Sequence, residues 1–249
     1  MGEKIVSVKN LYFSYGNNRV LEDVSFDIEK GDFVGIIGPN GSAKSTLMKL
    51  MIGLLKPEKG NVKLFGTDIN KFKKFKRIGY ISQSAREFNT KFPATVEEIV
   101  GANLYEKMGF FKIGNKNIYE NVHRSLKVVE MDAYSDRLIG NLSGGQKQRI
   151  FIARALVNNP EILFMDEPLV GVDIESQNRF YDLMEKLNVK YNITLVMVSH
   201  DVGVISKKVN KILCLGNGKL YVHDSKNVEL SDVIGETYGK NMDVLDHDH

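Results

Sequence analysis

Gly38, Pro39, Asn40, Gly41, Ser42, Ala43, Lys44, Ser45 and Thr46 combine a glycine-bearing turn with a lysine and hydroxyl side chains. Such a run suits phosphate, because backbone N–H groups at the start of a helix cradle phosphate oxygens while a lysine reaches the β- and γ-phosphates of a nucleotide. A serine hydroxyl beside that lysine ligates Mg²⁺. Lys44 and Ser45 take those two roles here. One residue departs from the standard pattern, which has glycine immediately before the lysine where this chain has Ala43. A β-carbon at positive φ costs roughly 1–2 kcal/mol. The expectation is that the helix has already begun at Ala43, which accommodates alanine without strain.

Two further runs carry chemistry. Ile162 to Pro168 is an apolar stretch that ends in adjacent carboxylates. Asp166 there can hold Mg²⁺ or its waters, and Glu167 can polarise an attacking water. Ser143, Gly144, Gly145 and Gln146 form a second glycine turn, followed by the helix-forming run from Lys147 to Arg154. That is again an anion-binding geometry. Taken alone, the first run is also the capped end of a strand and the second an ordinary helix start.

The elements that must position these residues follow from periodicity. Residues 5–33 alternate apolar and polar positions in short runs separated by Gly16-Asn-Asn18 and Gly31, the pattern of antiparallel strands and hairpin turns. Phe33 to Ile37 is a continuous apolar strand feeding the phosphate loop, and Leu47 to Leu55 repeats apolar residues at helical spacing. From Ser84 to Leu142 the pattern turns helical, with segments over Val96–Glu106 and Ile118–Met131, and reads as an inserted lobe. Pro160–Met165 and Ile193–Val198 are apolar runs separated by a helical stretch, Ser176–Lys190, as buried parallel strands with crossover helices require. The fold class is therefore α/β with a P-loop-type core.

Composition narrows the function classes. The 249 residues are 43% hydrophobic and 26% charged, as in ordinary globular proteins. Thirty-four Lys+Arg against 31 Asp+Glu leave +3, too near balance to point to nucleic acid. The run Lys71-Phe-Lys-Lys-Phe-Lys-Arg77 interleaves bases with aromatics but reads as a solvated face. Cys214, the single cysteine, excludes an intrachain disulfide framework. No stretch approaches the roughly 18 to 20 apolar residues of a membrane span, so a membrane role would be borrowed from a partner. At the end of the chain, His247 and His249 supply two imidazoles, too few for a metal site unless Asp246 or Asp248 joins them.

The order of the motifs adds a resemblance. Phosphate loop, a glutamine after a strand in Gly79-Tyr-Ile-Ser-Gln83, Leu142-Ser-Gly-Gly-Gln146, Asp166-Glu167 and Ser199-His200 together resemble the ABC ATPase family over nearly the whole chain. The resemblance implies a single domain over 1–249: a RecA-like P-loop core, an antiparallel β-subdomain, an inserted helical lobe over 84–153 carrying the signature motif, and a C-terminal extension over 223–249. It also implies Tyr15 stacked on adenine, Gln83 touching Mg²⁺ and water, His200 near the γ-phosphate, and Asp173 contacting an opposite subunit. Ser143, Gly144, Gly145 and Gln146 would lie over the nucleotide of that subunit, so that ATP with Mg²⁺ is hydrolysed in a homodimer. Implied partners are two integral-membrane permease subunits and an extracytoplasmic metal-binding protein, with the chain peripheral on the cytoplasmic face of the membrane. Phe88–Val100 and Glu167–Asp173 look most like the metal-uptake branch, particularly zinc importers. Manganese or iron import, or a soluble ABC ATPase without transport, are the alternatives.

Overall fold

The computed structural model describes residues 2–83, 93–107, 116–169, 172–199 and 201–224, with the backbone alone for 105–107, 116 and 204. Outside them lie His200, Val170, Gly171, the Phe88–Phe92 part of the Phe88–Val100 stretch, and the C-terminal extension beyond Asp224 with its His247-Asp-His249 end. The chain divides into two compact units, Met1–Lys73 with Thr194–His249, and Lys74–Ile193.

The first unit holds two sheets. Strands β1 (Lys4–Tyr15), β2 (Asn18–Glu29), β4 (Lys59–Leu64) and β5 (Thr67–Asp68) form an antiparallel sheet in the order β2-β1-β4-β5. Leu21, Val24, Phe26 and Ile28 of β2 and Val6, Val8, Leu11 and Phe13 of β1 are buried. The step from Val8 to Leu11 breaks strict alternation because β1 shifts register there, around Asn10 at φ 45°. On this sheet Asp27 gathers Lys4, Ser7 and Lys9 at 2.7, 2.6 and 3.4 Å. Partial burial opposes its ionisation, but those hydrogen bonds outweigh it and hold the carboxyl down at about 2.

The other sheet of this unit centres on β3 (Phe33–Ile37), which runs parallel to β8 (Thr194–Val198) and β9 (Lys211–Gly216); β10 (Lys219–Asp224) returns antiparallel to β9. Every residue of β3 and β8 is buried, as their unbroken apolar runs require. Helix α1 (Lys44–Met51) follows the loop after β3. It stops short of the expected Leu55 because Gly53, at φ 77°, closes a paired cap: Leu54 N–H donates to Lys49 O and Gly53 N–H to Leu50 O. Leu54 then lies 62% exposed. In the Lys71–Arg77 run, Lys71, Lys73, Lys74 and Lys76 are exposed while Phe72 is buried, so the basic run is a solvated face as expected.

The second unit pairs β6 (Ile78–Ile81) in parallel with β7 (Ile162–Asp166) and packs α2 (Val96–Gly101), α3 (Lys116–Val128) and α4 (Gly144–Leu156) against one another. Helix α5 (Ile174–Glu185) continues into a π-helical turn over Lys186–Lys190. Arg77, at the start of β6, forms a two-armed ion pair with Glu161 ahead of β7. The expected helix over Val96–Glu106 is α-helical only to Gly101 and 3₁₀ over Ala102–Lys107, where glycine weakens the α register. The expected Ile118–Met131 helix starts earlier and ends at Val128, before Glu130 turns to φ 60°. Among the described residues, no helix is long and apolar enough to cross a membrane.

Candidate functional site

In the first unit the phosphate loop lies between β3 and α1, the strand–turn–helix context a phosphate cradle needs. Gly38 sits so close to β9 that a β-carbon there would meet the Leu215 carbonyl oxygen at 2.1 Å and Ser42 Oγ at 2.6 Å. Only glycine fits. Lys44 is 5% exposed, its ammonium donating to the carbonyls of Gly38 at 2.8 Å and Pro39 at 2.9 Å. The loop thus folds around a positive charge. Ser42 Oγ is buried without a hydrogen-bond partner, an uncommon state for a buried polar atom. A phosphate oxygen would satisfy it, and the cradle fits a nucleotide phosphate on that ground.

Ala43 corrects the sequence expectation. It is not the first helical residue but the N-cap of α1, in the left-handed region at φ 71° and ψ 24°, with its carbonyl accepting from Leu47 N–H at 2.8 Å. Its methyl side chain makes no cap. The conformation is the one the usual glycine supplies, so the alanine bears the strain. Relief of roughly 1–2 kcal/mol, less about 0.4–1 kcal/mol for the greater freedom of glycine in the unfolded chain, gives the expected result for Ala43→Gly. The variant should be more stable, by up to about 1.6 kcal/mol, read as a higher urea midpoint at unchanged slope. A lower midpoint would contradict the strain.

Tyr15, 51% exposed, ends β1 with its ring braced edge-on by Phe13 at 5.0 Å between centroids, and its hydroxyl 3.3 Å from Thr46 Oγ1. The ring is thereby held beside the helix that follows the loop. At the end of β8, Ser199 N–H donates to Ile36 O at 3.1 Å and Ser199 Oγ accepts from Asp201 N–H at 3.0 Å. Ser199 is therefore tied to the strand that feeds the phosphate loop.

The second unit holds the carboxylates. Asp166, the last residue of β7, is 4% exposed, and burial followed by the Asp166 charge raises the neighbouring Tyr80 hydroxyl above its ordinary pKa. Glu167 turns to φ 49°, in the left-handed region, and accepts from Gln83 Nε2 at 3.1 Å. A non-glycine residue there is uncommon. Backbone strain of this kind clusters at working sites, where the surroundings enforce it. Within this unit Gln83 and Asp166 carry oxygen donors, the hard kind that suits Mg²⁺.

The signature turn opens α4 in the same unit. Ser143 caps it reciprocally: Gln146 N–H donates to Ser143 Oγ at 3.3 Å, and Ser143 N–H donates to Gln146 Oε1 at 2.9 Å. Gly144 has open space around it, whereas a β-carbon on Gly145 would meet Ser176 Oγ at 3.2 Å. Asp173 is exposed and caps α5, its Oδ1 accepting from Ser176 N–H at 2.9 Å; that backbone hydrogen bond lowers its pKa. Sequence reasoning missed Gln148, whose Nε2 donates to Pro168 O at 2.6 Å. Only a structure distinguishes it from its polar neighbours on α4.

The predicted residues thus fall into two groups. Tyr15 and Gly38–Thr46 share the first unit, and Gln83, Ser143–Gln146, Asp166, Glu167 and Asp173 share the second.

Comparison with known proteins matches residues 21–170 to the family profile described as ABC transporter. The "Zinc uptake system ATP-binding protein ZurA" of Listeria innocua is 43% identical over 98% of this chain and 98% of its own. Among solved structures, "an inward-facing conformation of a putative metal-chelate type ABC transporter" superposes with a TM-score of 0.82 at 26% identity, over 94% of this chain and 89% of that one. A dimeric ATP-binding cassette in a post-hydrolysis state, bound to ADP and Pi, matches with a TM-score of 0.73 at 28% identity, over 90% of this chain and all of that one.

Proposed function

The chain belongs to the ABC transporter family, and from that premise we propose that it is the ATP-hydrolysing subunit of an importer for a divalent metal ion, zinc foremost. The observation that carries the metal reading is the zinc-uptake relative, 43% identical with 98% of each chain covered. The fold is the P-loop α/β core of that family with an antiparallel β-subdomain and a helical subdomain.

The reaction transfers the γ-phosphoryl group of ATP to water. Tyr15 stacks on adenine, and the backbone from Gly38 to Thr46 with the Lys44 ammonium holds the phosphates. Ser45, Gln83 and Asp166 would hold Mg²⁺, which would supply neutralisation of the phosphate charge. Glu167 accepts a proton as the water oxygen attacks the γ-phosphorus; the bond to the bridging β-oxygen breaks, leaving ADP and Pi. His200 contacts the γ-phosphate. Hydrogen bonding from Gln83 keeps the Glu167 carboxylate oriented.

Each site is completed by a second copy, whose Ser143, Gly144, Gly145 and Gln146 cover the nucleotide and whose Asp173 contacts the facing subunit. The dimeric cassette among its structural relatives supports this reading. ATP then favours the closed dimer and hydrolysis the open one, biasing two permease subunits between two arrangements. The chain is peripheral, on the cytoplasmic face, and an extracytoplasmic metal-binding protein delivers cargo to the permease. The single domain comprises the core, a helical lobe over 84–153 and an extension over 223–249.

Mg²⁺-dependent ATP hydrolysis by the purified chain should rise more than linearly with protein concentration. Deleting its gene should lower zinc accumulation from zinc-poor medium, with restoration by the intact gene. Loss of manganese accumulation instead would reassign the cargo, and a strictly linear rate would remove the shared site.

A further inference from the structure

Between Glu167 and α5 the chain is fastened at several points within the second unit. Gln177 Nε2 donates to Val172 O at 2.9 Å, and Asp173 caps the helix. Where α4 passes, Gly145 leaves no slack against Ser176. One turn further along α4, half-buried Gln148 donates to Pro168 O at 2.6 Å. Pro168 is buried and directly follows Glu167, the residue at φ 49°. A left-handed glutamate persists only where its neighbours hold it, and the hydrogen bond on the next residue's carbonyl is such a hold on the backbone. Its donor belongs to the same helix that Ser143 and Gly144 open.

We propose that Gln148 is a positioning residue for hydrolysis, tying the backbone that carries Glu167 to the signature helix so that the carboxylate is set by where that helix stands. The inference rests on the ATPase reading above. A bland alternative gives Gln148 only the task of satisfying a buried carbonyl; removing it would then cost stability but leave each folded molecule fully active.

The two are separated by Gln148→Met, of similar length but with no N–H, and Gln148→Lys, which retains a donor. Both are assayed with the full chain, together with any membrane subunits that co-purify, well below the unfolding midpoint. The methionine variant should lose roughly tenfold in kcat with the KM for ATP within twofold of the unchanged chain, and lysine should recover most of the rate. If the methionine variant does not fold, Gln148→Glu, equally long and without a donor at neutral pH, takes its place. A donor-less variant with unchanged kcat, or lysine as slow as methionine, would overturn the proposal. Glu167→Gln is run beside them. An active unchanged chain with an inactive Glu167→Gln keeps the ATPase reading whatever Gln148 does, whereas no hydrolysis by the unchanged chain overturns both.

Discussion

Replacing Glu167 by glutamine is expected to lower steady-state ATP turnover by roughly 10²–10⁴-fold, the span general-base catalysis supplies, while ATP still binds. The substitution is nearly isosteric and leaves the phosphate loop untouched. Its amide retains an oxygen that can accept from Gln83 Nε2, so the 3.1 Å contact survives. What it removes is the ability to take a proton from the attacking water. Binding and closure then proceed and hydrolysis does not, so the variant should accumulate as an ATP-bound dimer. Sedimentation with ATP and Mg²⁺ should show a dimer for Glu167→Gln under conditions where the unchanged chain is mostly monomer. A rate within tenfold of the unchanged chain would remove Glu167 from the chemistry, and a loss of ATP affinity would mean the substitution had disturbed more than the proton acceptor.

The position of Glu167 also marks where reading the sequence stops. An apolar run ending in Asp-Glu predicts two carboxylates at a strand end, which β7 provides. Nothing in that run predicts a glutamate at φ 49°, since composition favours glycine or asparagine there. Ala43 is the sharper case. Spelling identified it as the irregular residue of the loop, yet two backbone states were compatible with alanine, and the unstrained one was expected. The structure instead keeps the left-handed turn and α1 begins one residue later. Global placement of the loop therefore overrides local preference, as it does where function needs a fixed backbone. Strand types were legible because β3 and β8 are buried on both faces and show it as unbroken apolar runs. Helix ends were less so, because the α1 stop depends on a cap at Gly53 while the apolar spacing runs on to Leu55. Gln148 was invisible for a different reason: its partner is a backbone carbonyl 20 residues away in sequence, and no periodicity reports such a contact.

Lys44→Ala should act on the other half of the reaction. The side chain is 5% exposed and its ammonium bonds two loop carbonyls, at 2.8 Å to Gly38 and 2.9 Å to Pro39. Its charge is thus fixed inside the loop before any nucleotide arrives, and phosphate oxygens meet a donor already in place. Charged hydrogen bonds contribute about 1.5–3 kcal/mol each, so losing the ammonium should weaken ATP binding by roughly 100-fold or more. Helix α1 should survive, because alanine is the best helix former and Ala43 O still accepts from Leu47 N–H at 2.8 Å. The expected pattern is therefore opposite to that of Glu167→Gln: affinity for ATP falls in calorimetric titration, no ATP-dependent dimer forms, and turnover fails for want of bound substrate. Lys44→Arg keeps the charge but must fit a wider, planar head where the lysine is almost wholly enclosed, so it should recover only part of the affinity. If Lys44→Ala bound ATP within threefold of the unchanged chain, the ammonium would be holding the loop together through Gly38 and Pro39 and doing little for the phosphates, and the cradle would rest on the backbone amides alone.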